Sequence, residues 1–404
     1  MNRDTIPATL SADVAATRTW DAIVVGAGPA GAAAAVRLAR SGRRTLLIER
    51  STMPRPKVCG CCLSPQAGRE LDGLGLPPKA LATAIPLVAV HLVAGGRAAR
   101  IAMRGAATLS REALDTALVR AAIAAGAQWL PQTTIRGIEE HAGGVMLHAD
   151  TVSRGPVRLE AAVAVVAAGL ADAIRITADA GAAADPPGRS RRIAATSRIG
   201  LGATLAAEAA DLPAGELVMA TSRAGYVGIV RLEDGRLDVA AAVDPRQLGR
   251  APGPAAFLAE LIAEARGRIA LPLDTDAVAR AVVRATPPLT RQAPVRAGVH
   301  GRVLRVGDAA GYVEPFTGEG MGWALTSGRL VAEAIAASSD PAAAAAAWEA
   351  SHRTAFAAHH RRCLAVAAAV RHPRLVAGVV RLAGLVPATA AGMLPWIAGG
   401  GGSR

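Results

Sequence analysis

The sequence predicts an α/β fold joined to a region of antiparallel strands, so the chain as a whole is α+β. A β-α-β unit of about 30 residues lies near the N-terminus. A second strand, glycine-rich segment and helix begin near residue 303, and the pattern over residues 193–243 is that of antiparallel strands. The chain of 404 residues is long enough for two or three closely packed units and a sizeable core.

The elements follow from hydrophobic periodicity and from the residues that end each segment. The first unit has a strand at residues 21–25, a glycine turn at 26–31, a helix at 32–40 ended by Gly42, and a strand at 45–49. Further strands are predicted at residues 87–93, 98–103, 145–148, 157–160, 161–168 and 303–306, with residues 51–65 and 181–192 as loops. Helices are predicted at 111–125, with Ser110 as N-cap, and at 253–266. A further helix follows the second glycine segment and runs to about residue 337, and the chain is predicted to be helical from residue 342 onward.

Composition excludes several classes of protein. Hydrophobic residues make up 51% and charged residues 19% of the chain, which excludes a largely disordered chain. A net charge of +13 would ordinarily suggest nucleic acid or an anionic surface. Lysine occurs only at Lys57 and Lys79, however, and an Arg-for-Lys bias is typical of a GC-rich genome. With five Trp, two Tyr and three Phe, stacking platforms for nucleic acid are also scarce, so we expect no nucleic-acid partner.

The cysteines and the N-terminus indicate a reduced, cytoplasmic protein. Cys59, Cys61 and Cys62 crowd together and Cys363 is distant, which is neither a disulfide framework nor a zinc-ligand spacing. We therefore expect no metal. Residues 1–19 lack the apolar segment of a signal peptide, and no stretch of about 20 residues is typical of a spanning helix. The protein is expected to be soluble or peripherally attached to a membrane.

The first glycine turn has the GxGxxG spacing of a dinucleotide site. Gly26 permits the tight turn, Gly28 lets a pyrophosphate approach the backbone, and Gly31 lets helix and strand pack closely. Pro29 and Ala30 lie at the helix N-terminus, which favours phosphate. Glu49, followed by Arg50, ends the next strand, where its carboxylate would accept hydrogen bonds from ribose hydroxyls; this favours FAD or NAD over NADP. A bare structural turn is the alternative.

The second glycine segment suits a flavin. Asp308 ends an apolar strand, where an acid can hold a polyol such as a ribityl chain. Gly318, Gly320 and Met321 lie where a helix begins, and a helix N-terminus can stabilise negative charge on a reduced ring. Three aromatic residues occur within the same stretch, namely Tyr312, Phe316 and Trp323. An Ala/Gly helix packed on a sheet is the alternative.

These two motifs resemble those of the FAD-dependent oxidoreductases of the para-hydroxybenzoate hydroxylase superfamily. Residues 55–65, Arg-Pro-Lys-Val-Cys-Gly-Cys-Cys-Leu-Ser-Pro, resemble the KxCGxxLSP loop of its geranylgeranyl reductase branch. The strand from Gly225 to Val230 is similar to that branch's GYxWvFP strand, although its Trp and Pro are absent. The resemblance covers roughly residues 18–335.

The resemblance implies a Rossmann-like, three-layer FAD-binding domain interrupted by an antiparallel sheet domain that binds substrate, with C-terminal helices. The expected boundaries are residues 18–85, 108–180 and 290–338 for the FAD domain, 86–107 and 190–289 for the sheet domain, and 339–404 for the helical segment. The resemblance carries FAD-binding roles onto Gly26, Gly28, Gly31, Glu49, Asp308, Gly318, Gly320 and Arg111, whose alternative role is a surface charge.

Two departures from the family pattern bear on the reaction. Related hydroxylases end the strand near residue 168 with an Asp-Gly pair that helps hold FAD and NAD(P)H, whereas this chain has Ala168-Gly169 with Asp172 as the nearest acid. The usual nicotinamide contact is therefore in doubt. The Trp-x-Trp signature and the catalytic lysine of the halogenase branch are also absent.

Three further predictions concern a catalytic residue, the substrate pocket and the basic C-terminal stretch. Cys59 lies where the branch places a cysteine near flavin and substrate, so it is the candidate catalytic residue, with a soft wall of the pocket as the alternative. Tyr226 and Phe316 are expected to line the substrate pocket. The basic stretch from His359 to Arg374 lies among apolar residues; it would either cap the FAD domain as a helical hairpin or make a peripheral membrane contact.

The leading functional hypothesis is reduction of a carbon–carbon double bond in a hydrophobic, isoprenoid-like small molecule by hydride from reduced FAD. NAD(P)H or another reductant would supply the electrons. The alternatives are a monooxygenase or oxidase acting on an aromatic or polyketide product, and an electron-transfer flavoprotein. The substrate and the oligomeric state cannot be predicted from the sequence.

Overall fold

The computed structural model describes residues 5–178, 192–266, 273–297, 299–314, 316 and 318–385. Within them the helices are α1 (Ala12–Ala16), α2 (Pro29–Arg40), α3 (Pro65–Asp72), α4 (Arg111–Ala124), α5 (Pro245–Leu248), α6 (Pro254–Arg266), α7 (Thr275–Ala279), α8 (Gly320–Ala337), α9 (Pro341–Ala369) and α10 (Pro373–Leu385). The strands are β1 (Thr19–Val25), β2 (Thr45–Ile48), β3 (Cys62–Leu63), β4 (Ile85–Pro86), β5 (Ala89–Ala94), β6 (Arg97–Ala102), β7 (Ala107–Thr108), β8 (Gln128–Leu130), β9 (Thr133–His141), β10 (Gly144–Thr151), β11 (Gly155–Val166), β12 (Arg175–Ala178), β13 (Arg192–Ile193), β14 (Ile199–Leu205), β15 (Glu216–Thr221), β16 (Gly225–Arg231), β17 (Leu237–Val243), β18 (Arg284–Pro288), β19 (Arg291–Gln292), β20 (Arg296–Ala297), β21 (Val303–Arg305) and β22 (Gly311–Tyr312). Residues 181–191 of the predicted loop, and the predicted C-terminal segment beyond residue 385, lie outside the described residues.

The β-α-β unit that contains the first glycine turn lies at the centre of a nine-stranded sheet. β1 lies between β2 and β11, and these three strands run parallel, with β8 beyond β2 and β21 beside β11. Side chains alternate along β1, so Ala22 and Val24 face α2, α4 and α8, whereas Ile23 and Val25 face the layer that includes β9 and β10. The predicted three-layer, Rossmann-like α/β architecture is confirmed.

Strand β11 is longer than the sequence suggests. The predicted strands 157–160 and 161–168 form one element, which pairs antiparallel with β10 through residues 155–161 and parallel with β21 through residues 164–166. Strand β11 therefore pairs with β10 in its first part and with β21 in its last part, without a change in its own direction. No Gly or Pro interrupts the apolar run after Pro156, so nothing in the backbone ends the strand there.

The second sheet has the order β18-β14-β17-β16-β15-β5-β6. The predicted antiparallel pairing holds for five of its six strand pairs, whereas β5 and β15 run parallel. β5 belongs to an earlier segment of the chain, so no hairpin fixes its direction relative to β15. Helix α6 covers one face of this sheet, where Phe257 and Leu258 pack with Val239 and Val243.

The C-terminal helices divide between the two sheets. α9 packs beside α8, and Trp348 is fully buried there, whereas α10 packs on β5 and β6 through Val380 and Ala383. Among the described residues, no single helix is long and apolar enough to cross a membrane. α9 and α10 together meet that criterion by length and composition, but a bend of 101° separates them.

Four short helices, α1, α3, α5 and α7, were missed by the sequence prediction, and α3 is the longest of them. Residues 51–65 were expected to form a loop, yet α3 begins at Pro65. Ser64 caps it, since its Oγ accepts a hydrogen bond from the Ala67 N–H at 3.2 Å. A serine N-cap followed by Pro at the first helical position is a helix-start signal that the glycine- and cysteine-rich neighbourhood obscured.

Candidate active site

The first glycine turn is packed too closely for side chains at two of its three glycines. Gly26 has φ +104°, and a Cβ there would lie 2.4 Å from the Ala167 carbonyl oxygen, while a Cβ on Gly31 would lie 1.8 Å from the Gly26 oxygen. Gly28 differs, because the nearest atom to its Cβ would be the Arg111 Nη2 at 3.8 Å. Gly28 is also the N-cap of α2 and has no side chain to cap Ala30 and its neighbours. The turn thus leaves an open approach to a helix N-terminus.

Glu49 closes one side of this turn. Its side chain is buried, its Oε2 accepts a hydrogen bond from the Ala27 N–H at 3.0 Å, and its Oε1 accepts one from the Ser51 N–H at 3.3 Å. Arg55 Nη2 lies 3.3 Å from Oε2 of Glu49. Arg50, predicted as a cofactor contact, is exposed at the start of the following loop. Glu49 is therefore fixed beside the glycines, as the spacing predicted, whereas Arg50 points to the surface.

Arg111 reaches the same place from α4. Its guanidinium is buried and binds both carboxylate oxygens of Asp115, one turn further on, at 3.0 and 2.9 Å. Arg55 Nη2 lies 3.5 Å from Asp115 as well. Sequence reasoning missed Arg55 and Asp115. The spacing of four residues between Arg111 and Asp115 on one helix face was the available signal for Asp115, while nothing in the sequence distinguished Arg55.

The second glycine segment meets the first at the N-terminus of α2. Gly307 has φ +58°, its N–H donates to Ser327 Oγ at 2.8 Å, and a Cβ on it would lie 2.9 Å from the Ala30 Cβ. Asp308 follows in a half-buried position, and burial raises the pKa of its carboxyl group while Lys57 and Arg111 oppose that rise. The strand ends that carry the two glycine motifs are thus neighbours.

The remaining predicted residues of this segment begin α8. Gly318 has φ +74°, and a Cβ there would lie 3.4 Å from the Cβ of Cys62. Gly320 is the first residue of α8 and Met321 is buried in the core beneath it. Trp323 lies on the same helix but packs against His360 of α9, with ring centroids 5.2 Å apart. The segment therefore contacts the cysteine loop directly.

The cysteine loop, residues 57–62, holds three free thiols with different ionisation. A hydrogen bond from Cys61, together with the charge of Arg111, lowers the pKa of Cys59 to about 6. The same hydrogen bond, together with burial, raises the pKa of Cys61 well above its usual value, and burial raises that of Cys62 to about 12. Cys61 adopts φ +52°, which turns its Sγ back to 3.8 Å from the Cys59 carbonyl oxygen. The Cys61 hydrogen bond and the charge of Arg111 thus favour the thiolate form of Cys59, whereas burial favours the neutral thiol of Cys61.

A lysine of the cysteine loop lies beside Gly169, the second residue of the Ala168-Gly169 pair. Gly169 has φ +69°, and a Cβ there would lie 3.7 Å from the Nζ of Lys57. Asp172, the nearest acid in sequence, is buried, and its Oδ2 lies 3.5 Å from the Nε of buried Arg305. The end of β11 thus presents a cation, not a carboxylate.

Tyr226 and Phe316, predicted to line a substrate pocket, are in contact. Their rings meet edge to face with centroids 4.9 Å apart, within an apolar cluster between the second sheet and α10. Arg198 lies over the Tyr226 ring at 5.4 Å and forms a buried ion pair with Glu314 at 2.8 Å. Burial, with Glu314 nearby, raises the pKa of Tyr226 well above its usual value. The cluster offers an apolar surface bordered by one neutralised charge pair.

The residues present fit FAD. A Cβ on Gly26 or Gly31 would collide with backbone, whereas Gly28 leaves open space at an uncapped helix N-terminus, where a pyrophosphate can approach. Glu49 is held beside this turn by backbone N–H groups, within reach of a ribose. Among the described residues, no group of three or more His, Cys, Asp or Glu side chains could hold a metal ion.

Fold and site together define a flavoprotein of the oxidoreductase class. Residues 19–361 match the model of the FAD binding domain family, and the chain belongs to that family. It is 57% identical to the menaquinone reductase of Mycobacterium tuberculosis over 56 residues, which span only 14% of each chain. It is 29% identical to the kynurenine 3-monooxygenase of Salinispora arenicola over 365 residues, covering 82% of this chain and 76% of that one.

Solved structures share the fold. A geranylgeranyl bacteriochlorophyll reductase-like protein from Thermoplasma acidophilum superposes with a TM-score of 0.72 and 18% identity, over 90% of this chain and 91% of that one. A myxobacterial chondrochloren halogenase superposes with a TM-score of 0.72 and 19% identity, over 86% of this chain and 82% of that one. At these identities the likeness extends to the fold alone, so the reaction has to be argued from the site.

Proposed function

We propose that the protein is an FAD-dependent reductase of the carbon–carbon double bonds of a hydrophobic, isoprenoid-like substrate. The observation that carries the proposal is the cysteine loop, which holds Cys59 close to Arg111 and contacts both the second glycine segment and the second sheet. Reduction of a double bond needs a hydride donor on one side and a proton source on the other. A thiol of this loop would be that proton source.

The apolar cluster around Tyr226 and Phe316 supports a hydrophobic substrate, since it joins the second sheet to α10. The relatives support the same class. One local match is to a menaquinone reductase, whose named substrate is an isoprenoid quinone, and one structural neighbour is geranylgeranyl reductase-like.

When bound, FAD supplies the hydride chemistry of such a reduction. The glycine turn at Gly26–Gly31 and the N-terminus of α8 would hold the cofactor, and Glu49 would bind its ribose. Arg111 would balance negative charge at the turn, and its charge helps to lower the pKa of Cys59. Cys59, once protonated, donates to the substrate carbon, and the ring edges of Tyr226 and Phe316 keep water from the double bond.

We propose NAD(P)H or another small reductant as the electron donor. The Ala168-Gly169 sequence and the paired Asp172 leave no carboxylate at the end of β11 for the usual nicotinamide contact. Lys57, near Gly169, suits a reductant that carries negative charge. A monooxygenase is the second candidate, because the kynurenine 3-monooxygenase match covers most of the chain.

The deciding experiment reduces the FAD-loaded protein anaerobically and adds a menaquinone with an unsaturated side chain. A product two hydrogens heavier by mass spectrometry supports the reductase. The Cys59→Ser variant should lower its formation at least tenfold, whereas Cys62→Ser serves as a matched control. Rapid oxygen-dependent NAD(P)H consumption with an aromatic substrate, giving a product heavier by one oxygen, would instead establish the monooxygenase.

We also propose that the end of α9 and the outer face of α10 contact an anionic membrane from the cytoplasmic side. Leu364, Leu375 and Leu382 are exposed by 43%, 52% and 53%. Exposed Arg374 and Arg381 lie among them. No acidic residue follows position 349 in the sequence, whereas seven arginines do. An apolar face with exposed arginines beside it fits anionic lipid, from which a hydrophobic substrate would be drawn.

A further inference from the structure

The N-terminus of α4 is capped by residues from two distant parts of the chain. Ser110 is the N-cap, and its Oγ accepts a hydrogen bond from the Ala113 N–H at 3.1 Å. In a capping box the residue three positions after the cap is Glu or Gln, whose side chain accepts a hydrogen bond from the backbone N–H of the cap. In this chain that position is Ala113, whose methyl side chain cannot accept a hydrogen bond. Because Ser110 is only 1% exposed, its N–H needs an acceptor from elsewhere in the protein.

Glu233 of the second sheet supplies that acceptor. Its Oε2 accepts a hydrogen bond from the Ser110 N–H at 2.9 Å, and its Oε1 accepts one from the Ser110 hydroxyl at 2.6 Å. The two residues are 123 positions apart in the sequence. A carboxylate at this place also complements the positive end of the helix macrodipole. The second sheet thus completes the capping box that the sequence of α4 leaves incomplete.

The turn that carries Glu233, residues 232–236 between β16 and β17, is itself held in place. Arg231 donates hydrogen bonds of 2.7–3.2 Å to four carbonyl oxygens, those of Ala207, Ala210, Leu212 and Gly235. The Nε of Arg236 lies 2.6 Å from Oδ2 of Asp234, and its Nη1 lies 3.6 Å from Oε1 of Glu112 on α4. The turn therefore contacts the first turn of α4 at two points and presents Glu233 at a fixed position.

Arg111 is the first residue of α4, directly after the cap. Its guanidinium binds Asp115 through two hydrogen bonds, and its Nη2 lies 3.8 Å from the position that a Cβ on Gly28 would take. The first residue after a cap keeps helical backbone angles only while the first turn of the helix stays formed. The cap therefore decides whether the guanidinium of Arg111 stays beside the glycine turn.

We propose that Glu233 is a positioning residue of the cofactor site, which caps α4 from the second sheet and thereby holds Arg111 beside Gly28, where a pyrophosphate can approach. Glu233 acts through Ser110 and Arg111 rather than by contact with the cofactor. The proposal goes beyond the reaction proposed above, because it concerns how the site is assembled and applies to a reductase and a monooxygenase alike.

The first test measures the FAD affinity of the full chain by flavin fluorescence. Glu233→Ala removes both acceptors and should weaken FAD binding about three- to tenfold, which corresponds to the usual cost of losing a helix cap. Asp234→Asn is the matched control, since it removes one negative charge from the same turn but keeps an acceptor for the Arg236 N–H. It should leave the FAD affinity unchanged. Unchanged affinity in Glu233→Ala would overturn the proposal.

The second test asks whether Glu233 acts through Arg111. In an Arg111→Met background, Glu233→Ala should not weaken FAD binding further, because the side chain that it positions is gone. Equal losses in the two backgrounds would overturn the proposal. A variant that keeps Arg111 gives a second route: Ala113→Glu, added to Glu233→Ala, completes the capping box within α4 and should restore the FAD affinity. Failure to restore it would place the effect of Glu233 outside the cap and would equally overturn the proposal.

Hydrogen exchange in the FAD-free chain gives a readout that needs no cofactor. Glu233→Ala should speed exchange in peptides that span residues 108–115, while peptides from β9 and β10 keep the rates of the parent. Faster exchange throughout the chain would assign Glu233 to general stability and overturn the positioning role. The menaquinone assay remains separate. Absence of reductase activity there would reject the reaction alone, whereas equal losses of FAD affinity in the two Arg111 backgrounds would reject this proposal alone.

Discussion

Gly28 and Gly31 belong to the same turn, yet a methyl group has opposite surroundings at the two positions. At Gly31 the new carbon would lie 1.8 Å from the Gly26 carbonyl oxygen, well inside the 3.4–4 Å of an ordinary contact, and only backbone movement could relieve it. At Gly28 the nearest atom is the Arg111 Nη2 at 3.8 Å, and φ of −77° with ψ of −177° suits alanine. Gly31→Ala should therefore damage the fold, and Gly28→Ala the cofactor site.

The magnitudes follow from these contacts. Overpacking of this kind costs about 1–3 kcal/mol or more, so Gly31→Ala should unfold at lower urea than the parent even without FAD. Gly28→Ala should stay within about 1 kcal/mol of the parent without FAD, because alanine restricts the unfolded chain but is a poorer N-cap than glycine. Its methyl occupies the approach to the α2 N-terminus, so FAD affinity should fall about 10–100-fold, or about 1.4–2.8 kcal/mol.

Urea unfolding with and without FAD, and FAD binding by fluorescence, measure the two effects. Gly68→Ala is the matched control, since a Cβ there meets nothing within 4 Å and α3 lies outside the turn. It should leave FAD affinity unchanged. A Gly28→Ala protein that binds FAD like the parent would refute the placement of the pyrophosphate at Gly28. A Gly28→Ala protein as unstable without FAD as Gly31→Ala would refute the assignment of separate roles.

Three further outcomes are expected. Arg198→Leu should cost about 3–5 kcal/mol in urea unfolding, because it leaves Glu314 charged and buried; an unchanged midpoint would contradict that burial. Asp238→Asn should become more stable to heat than the parent as pH rises. Because the pKa of Asp238 is raised in the folded state, its stabilising contribution is present below its unfolded-state pKa and is lost as pH rises through its folded-state pKa. The asparagine of the variant stays neutral throughout. A stability difference that does not change with pH would count against this assignment. Substituting Ser for both Leu375 and Leu382 should reduce co-sedimentation with phosphatidylserine vesicles severalfold, with high salt weakening the remainder, and equal binding by both proteins would exclude this surface.

The fold was largely predictable because its signals are local. The strand, glycine turn and helix at residues 19–40 follow from hydrophobic period and from glycines whose missing side chains prove necessary at Gly26 and Gly31. The direction of β5 and the continuity of β11 were not predictable in the same way. Both depend on which strand lies alongside, and that is decided by tertiary packing.

The residues of the candidate site also differ in whether a local motif or only tertiary packing identifies them. Glu49 and Arg111 were predicted from motif position, and the structure brings both to the glycine turn, although their roles toward FAD stay predictions. Arg55 and Asp115 escaped notice because an ion-pair network between a loop and a helix has no pattern of its own in sequence. Arg50, predicted from its adjacency to Glu49, is exposed at the start of the following loop, and its role toward FAD likewise stays a prediction.

The cysteine loop explains why ionisation at this site depends on both sheets. Gly318 receives Cys62 on the side of α8, and Gly202 receives Val58 on the second sheet, so the loop is fixed at both ends by glycines from distant segments. Between these contacts Cys61 takes the left-handed conformation that aims its thiol at Cys59. A displacement of either sheet would turn Cys61 away and let the pKa of Cys59 return toward the ordinary thiol value. The low pKa of Cys59 is therefore a property of the assembled interface between the two sheets, which no single motif in the sequence contains.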